Sequence, residues 1–189
     1  MHRFPFLLVA LHAAAAAAPA AATGPVPVPA FNSVQLRGGG SLILRHGAAQ
    51  RVRLLEGSTA STSFRVTPEG QLRIHACNGG CPRGYRLTIE IESPSVPGLA
   101  LSRGGRITVG QGFPAQRRLS AAVRGGGQID ALTVNASDVS AAVSGGGQLL
   151  VWAEDSLNAA VSGSGHIGYR GKPSVATAVR GGGLVASVR

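Results

Sequence analysis

Few side chains in this 189-residue chain have the makings of chemistry, and the two cysteines come first. They stand in Cys77-Asn-Gly-Gly-Cys81, with three residues between them. A redox-active pair usually has two intervening residues. A metal site using both thiolates and His75 lacks a fourth ligand in view. In an oxidising compartment the spacing instead suits a local disulfide between Cys77 and Cys81, with Asn78, Gly79 and Gly80 supplying the turn. Closing so short a loop stabilises a fold by about 2 kcal/mol in the chain-entropy model. A structural staple is the expectation.

Acid–base chemistry finds little support. Glycosidic cleavage needs paired carboxylates, or an acidic calcium site with a basic partner. The C-terminal half offers only Asp130, Asp138, Glu154 and Asp155. Asp130 and Asp138 fall in different parts of one repeat, and Glu154 and Asp155 are sequence neighbours expected at the turn before Ser156 and therefore pointing apart. The histidines beyond the N-terminal segment are His46, His75 and His166. No G-x-S-x-G elbow accompanies them, and no G-x-x-x-x-G-K-[ST] loop exists to hold phosphate. No catalytic, cofactor-binding or metal-binding residue is therefore assigned.

Charge points elsewhere. Eighteen Lys and Arg against eight Asp and Glu leave a net charge of +10, and Lys172 is the only lysine. Basic exported proteins meet anionic polysaccharides and other acidic envelope components, so these are the expected partners. Nucleic acid is excluded as a partner: aromatic residues make up 4% of the chain and do not interleave with the arginines as a base-stacking platform requires. Arg124 and Arg180 are the candidate polyanion contacts. The competing explanation is that excess arginine only keeps a glycine-rich chain soluble.

The elements that must position these groups are repeats. Leu119-Ser-Ala-Ala-Val-Arg-Gly-Gly-Gly127 returns as Val139–Gly147, Leu157–Gly165 and Val175–Gly183, with triplets beginning at Gly125, Gly145, Gly163 and Gly181. A unit of about twenty residues cannot bury its own apolar face and must stack on copies of itself, which is the logic of a solenoid. Alternation turns Leu119, Ala121 and Val123 inward and Ser120, Ala122 and Arg124 outward. The later copies give inward columns Val139/Ala141/Val143, Leu157/Ala159/Val161 and Val175/Thr177/Val179. Ile129, Leu149, Ile167 and Val185 resume burial after the glycine corner. The outward column before the glycines reads Arg124, Ser144, Ser162, Arg180. Arginines three rungs apart stand roughly 14 Å from one another, beyond a Debye length of about 8 Å.

Upstream, short alternating runs predict strands at 34–36, 41–44, 51–55, 63–66, 71–74 and 86–91, with no helical periodicity. Residues 1–22 have the positive start, apolar run and A-x-A site of a signal peptide. A proline-rich lead-in covers 23–30. Residues 31–189 form one β domain: N-terminal strands over 31–97, then the glycine-repeat solenoid over 98–189. The fold class is all-β.

Phe31-Asn-Ser-Val-Gln-Leu36, Leu72-Arg-Ile-His75, Ile91–Leu101 and Val161-Ser-Gly-Ser-Gly-His-Ile-Gly-Tyr-Arg-Gly-Lys-Pro173 together resemble the bacterial head GIN domain of the autotransporter-adhesin type. The likeness runs from about Phe31 to Val188. It implies a right-handed parallel β-solenoid, exported and without established catalytic residues. The sequence runs six residues beyond Gly183, and a membrane-inserted translocator barrel is not expected in it. No later segment reads as a membrane span. The expectation is a non-enzymatic, periplasmic or secreted module for binding, adhesion or scaffolding. Its alternatives are a carbohydrate-active enzyme on a β-helix and a purely structural module. Gly183-Leu-Val-Ala-Ser-Val-Arg189 leaves an apolar end, so a homo-oligomer through that end is also expected.

Overall fold

The computed structural model describes residues 24–188, so the signal-peptide segment lies outside the described residues. Its elements are all strands: β1 (Gly24–Pro25), β2 (Ser33–Arg37), β3 (Ser41–His46), β4 (Arg51–Glu56), β5 (Ser63–Val66), β6 (Gln71–His75), β7 (Thr88–Ser93) and β8 (Gly98–Ser102). There follow β9 (Arg106–Val109), β10 (Gln116–Arg124), β11 (Gln128–Ser144), β12 (Gln148–Ser162), β13 (His166–Arg170), β14 (Ser174–Arg180) and β15 (Leu184–Ser187). All fifteen join one hydrogen-bonded sheet, which curls so that two walls share a core. The all-β expectation holds, and every predicted N-terminal run lies in or overlaps a strand.

The front wall runs β5-β6-β2-β8-β10, then the second halves of β11 and β12, then β14. The back wall runs β1-β4-β7-β3-β9, the first halves of β11 and β12, then β13 and β15. β11 and β12 are long because each belongs to both walls. The repeated phrases pair in parallel and in register: Leu119 with Val139, Val139 with Leu157, and Leu157 with Val175. Leu119, Ala121 and Val123 are buried, as are their equivalents in the next two phrases, with Ile129, Leu149 and Ile167 opposite. The inward columns thus stand as expected, except the last. In β14 every residue is exposed, Val175 by 41% and Val179 by 44%, because among the described residues β14 pairs only with β12 and nothing covers its other side.

The stack departs from sequence order at its N-terminal end. β2 lies between β6 and β8, and β3 between β7 and β9, so the first rung in the chain is an interior rung of the stack. Nor is the sheet wholly parallel. β5 folds back antiparallel on β6 through the Thr67–Gly70 turn, and β4 and β1 extend β7 as antiparallel strands. These strands close the N-terminal end of the core, the role capping units play in stacked repeats.

Corners explain the glycine triplets. The first glycine of each, at 125, 145, 163 and 181, has φ between 88° and 111°, where a side chain is strained. The third is fixed by packing: a Cβ on Gly147, Gly165 or Gly183 would collide with Cγ1 of Val123, Val143 or Val161 on the rung below. The middle position is free. Nothing lies within 4 Å of a Cβ built on Gly126 or Gly182, and the third phrase places Ser164 there.

Candidate functional site

Cross-strand register assembles on the outer face of the front wall a row that sequence order does not reveal. Reading across eight strands, the residues before the corners are Ser63, His75, Arg37, Ser102, Arg124, Ser144, Ser162 and Arg180. The next outward row reads Arg65, Arg73, Gln35, Ala100, Ala122, Ala142, Ala160 and Ala178. Arginines therefore gather over β5, β6, β2, β8 and β10, and a pavement of alanines spans the rest. Arg37 and Arg124 are two strands apart, roughly 10 Å. Arg37, Arg103 and Arg124 border one shallow cleft of about 370 Å³ with Gln35, Ser102 and Gly125. A neighbouring cleft of about 410 Å³ is lined by Arg65, Arg73, His75 and Asn78 among others.

Three observations mark this cluster. Arg103 has φ 62°, alone among the described non-glycine residues in the left-handed region. It occupies the place that Gly125 takes in the next phrase, and its N–H donates to the Arg124 carbonyl at 3.1 Å. Holding an arginine there costs about 1–2 kcal/mol, and such strain gathers at functional positions. Second, the Ser102 hydroxyl is the one buried side-chain oxygen or nitrogen without a hydrogen-bond partner among the described residues. It lies in the row between Arg37 and Arg124. Third, burial and then the charges of Arg37, Arg73, Arg103 and Arg65 hold the His75 imidazole below its ordinary range. No front-wall arginine forms an ion pair among the described residues. The cluster is a patch of arginines without ion pairs, suited to sulfate, carboxylate or phosphate oxygens.

Of the candidates read from sequence, Arg124 lies within this cluster. Arg180 lies on the same row at its far end, three strands on. Arg37, Arg65, Arg73, His75 and Arg103 were not singled out as contacts. Ser102-Arg-Gly-Gly105 follows the pattern of the repeated corner phrase, with Arg103 in the place of its first glycine. Cys77 and Cys81 are disulfide-bonded, closing the loop that leaves β6 just after His75. The acids are dispersed. Asp130 Oδ1 accepts from the Leu132 N–H at 3.2 Å, and Asp138 Oδ1 accepts from the Ser156 hydroxyl at 2.7 Å. Glu154 and Asp155 are exposed, as is His166, in register with Gln148. Among the described residues no three His, Cys, Asp or Glu side chains could hold a metal ion, and no helix is long and apolar enough to cross a membrane.

Residues 115–173 match the family described as "Putative auto-transporter adhesin, head GIN domain". The resemblance read from the sequence is thereby shown, over a shorter span than the 31–188 expected. Among solved structures, the chain is similar to a putative adhesin from Bacteroides fragilis, at 19% identity over 88% of this chain and 96% of that one, TM-score 0.49. It is also similar to one from Parabacteroides merdae, at 14% identity over 89% and 96%, TM-score 0.46. No match was found among the curated proteins.

Proposed function

We propose, for a chain that carries the head GIN domain over residues 115–173, that it is an exported, non-enzymatic envelope protein that grips a linear polyanion along its front wall. An acidic polysaccharide is the ligand class. The supporting observation is the unpaired cluster of Arg37, Arg103 and Arg124 around the unpartnered Ser102 hydroxyl, with Arg103 held in a strained backbone to stay there. Guanidinium forks donate two parallel N–H bonds to a sulfate or carboxylate. Ala122, Ala142, Ala160 and Ala178 keep the remaining surface low, so an extended chain can lie across it towards Arg180. The Cys77–Cys81 staple fixes the loop beside His75 at the edge of the cluster.

The reading takes residues 31–189 as one domain, with strands over 31–97 and the glycine-repeat stack over 98–189. It takes the stack as a right-handed parallel solenoid, the hand found in about 98% of parallel crossover connections. Export to the periplasm or beyond rests on the signal-like residues 1–22.

Binding of the mature protein to heparin, used as a sulfated probe, tests this against neutral dextran. Each arginine is worth about 1 kcal/mol near an anionic surface, so Arg124→Ala/Arg180→Ala should weaken heparin binding roughly thirtyfold. Equal binding by wild type and variant would sink the proposal. Turnover of an acidic polysaccharide, abolished by Asp130→Ala, would replace it with an enzyme.

A further inference from the structure

We infer that two copies of this chain join tail to tail through the open edge of β14, around a twofold axis at Thr177. The interface stands independently of what the front wall binds. Three of the four exposed large hydrophobic side chains among the described residues gather at this end: Val175, Val179 and Leu184, the last 53% exposed. Among the described residues β14 pairs only with β12 and β15 only with β13, so both walls end in a bare strand there.

The edge strand is its own complement. Val175-Ala-Thr-Ala-Val179 reads identically in both directions about Thr177. A twofold interface requires that residue i meet j while j meets i. An antiparallel pairing centred here sets Val175 against Val179, Ala176 against Ala178 and Thr177 against Thr177. The backbone is oriented for it. The Arg180 carbonyl accepts from the Gly163 N–H at 2.8 Å, so Arg180 turns its backbone groups towards β12. Alternation then gives Ala176 and Ala178 the same direction and sends the N–H and C=O groups of Val175, Thr177 and Val179 to the open side. Opposed residues of that kind exchange both bonds in an antiparallel pair. On the order of six backbone hydrogen bonds form, and the same pairing covers the exposed valines.

Charge permits this arrangement. No charged residue lies between Ser174 and Val179. Arg180 of one copy faces Ser174 of the other, and the two Arg180 residues stand roughly 20 Å apart along the strands, outside the Debye length of about 8 Å. The other end of the stack cannot substitute. It closes with the antiparallel β5, bearing Arg65 and followed by Pro68, and with the two-residue β1, followed by Pro27 and Pro29. Proline and charge are the usual protections of an edge strand. One adhesive end per copy gives a closed pair and not a fibre.

Light scattering on the mature protein across a hundredfold concentration range should show twice the chain mass at the upper end. Thr177→Lys sets two ammonium groups opposite each other and should leave a monomer with an unchanged circular dichroism spectrum. Thr177→Cys, oxidised mildly, should cross-link two copies covalently, since opposed strand residues lie about 5.5 Å apart at Cα. A monomeric wild type at the highest concentration, a Thr177→Lys protein that remains dimeric, or a Thr177→Cys protein that does not cross-link would each overturn the inference. Should Thr177→Lys fail to fold, the wild-type mass and the cross-link decide.

Discussion

On the back wall, Arg45 closes on Glu90 at 2.6 Å, Arg53 reaches the same carboxylate at 3.6 Å, and Arg51 reaches Glu92 at 3.9 Å. On the front wall Arg37, Arg65, Arg73, Arg103, Arg124 and Arg180 have no carboxylate partner among the described residues. Both walls use the same alternating strands on one core, so the difference lies only in what the outward positions hold. Where arginine alternates against Glu90 and Glu92 the charge is spent within the sheet. Where it alternates against serine, alanine and glycine the charge remains for a ligand. Six arginines without an ion pair therefore lie on the front face.

Removing the free charge should have the largest effect. Arg37→Ala/Arg103→Ala/Arg124→Ala is expected to weaken heparin binding about a hundredfold, near 3 kcal/mol, measured by calorimetry at fixed salt. The matching back-wall triple, Arg45→Ala/Arg51→Ala/Arg53→Ala, should change it less than about twofold, since paired surface charges contribute little. Equal losses from the two triples would erase the distinction between the walls. The corners that join them come next. Gly165→Ala forces a methyl into Val143 and should cost about 2–3 kcal/mol in chemical denaturation. Gly182→Ser, at a middle position, should stay within about 0.5 kcal/mol.

Arg103→Gly separates stability from binding. Relief of the left-handed backbone should stabilise the fold by about 1 kcal/mol while binding weakens. The smallest effect concerns pH. His75 is held below its ordinary value by burial and by Arg37, Arg73, Arg103 and Arg65. The unfolded chain therefore takes up this proton first, and the contribution of His75 to stability falls as pH drops below the unfolded value near 6.5. A bound polyanion favours protonation, so affinity should rise several-fold between pH 7.5 and 5.5, and His75→Gln should flatten that rise. A pH-independent affinity in the wild type would remove His75 from the site.

Much of this architecture was legible because stacking repeats the same constraint at each rung. Leu119, Ala121 and Val123 are placed by alternation alone, and the triplets announce the corners. The pairing of Cys77 with Cys81 was legible from their spacing. The insertion of β2 between β6 and β8 was not. Val34 and Leu36 fit beside Leu72 and Ile74 or beside Leu99 and Leu101 equally well, and in the structure they pair with both. The cluster was hidden for the same reason: His75, Arg37, Ser102 and Arg124 become neighbours only once strand order is known. Val175 and Val179 repeat the inward pattern, but alternation cannot say that no strand follows alongside.

The middle residue of each corner carries a consequence for how such a protein can change. Its neighbours in the triplet are bound by backbone angle and by the valine below, yet Gly126, Gly182 and the site of Ser164 accept any small addition facing solvent. Successive corners therefore offer a ladder of interchangeable pegs at intervals of about 4.8 Å. A lineage could retune what the surface recognises one peg at a time, without disturbing the scaffold that holds the pegs in line.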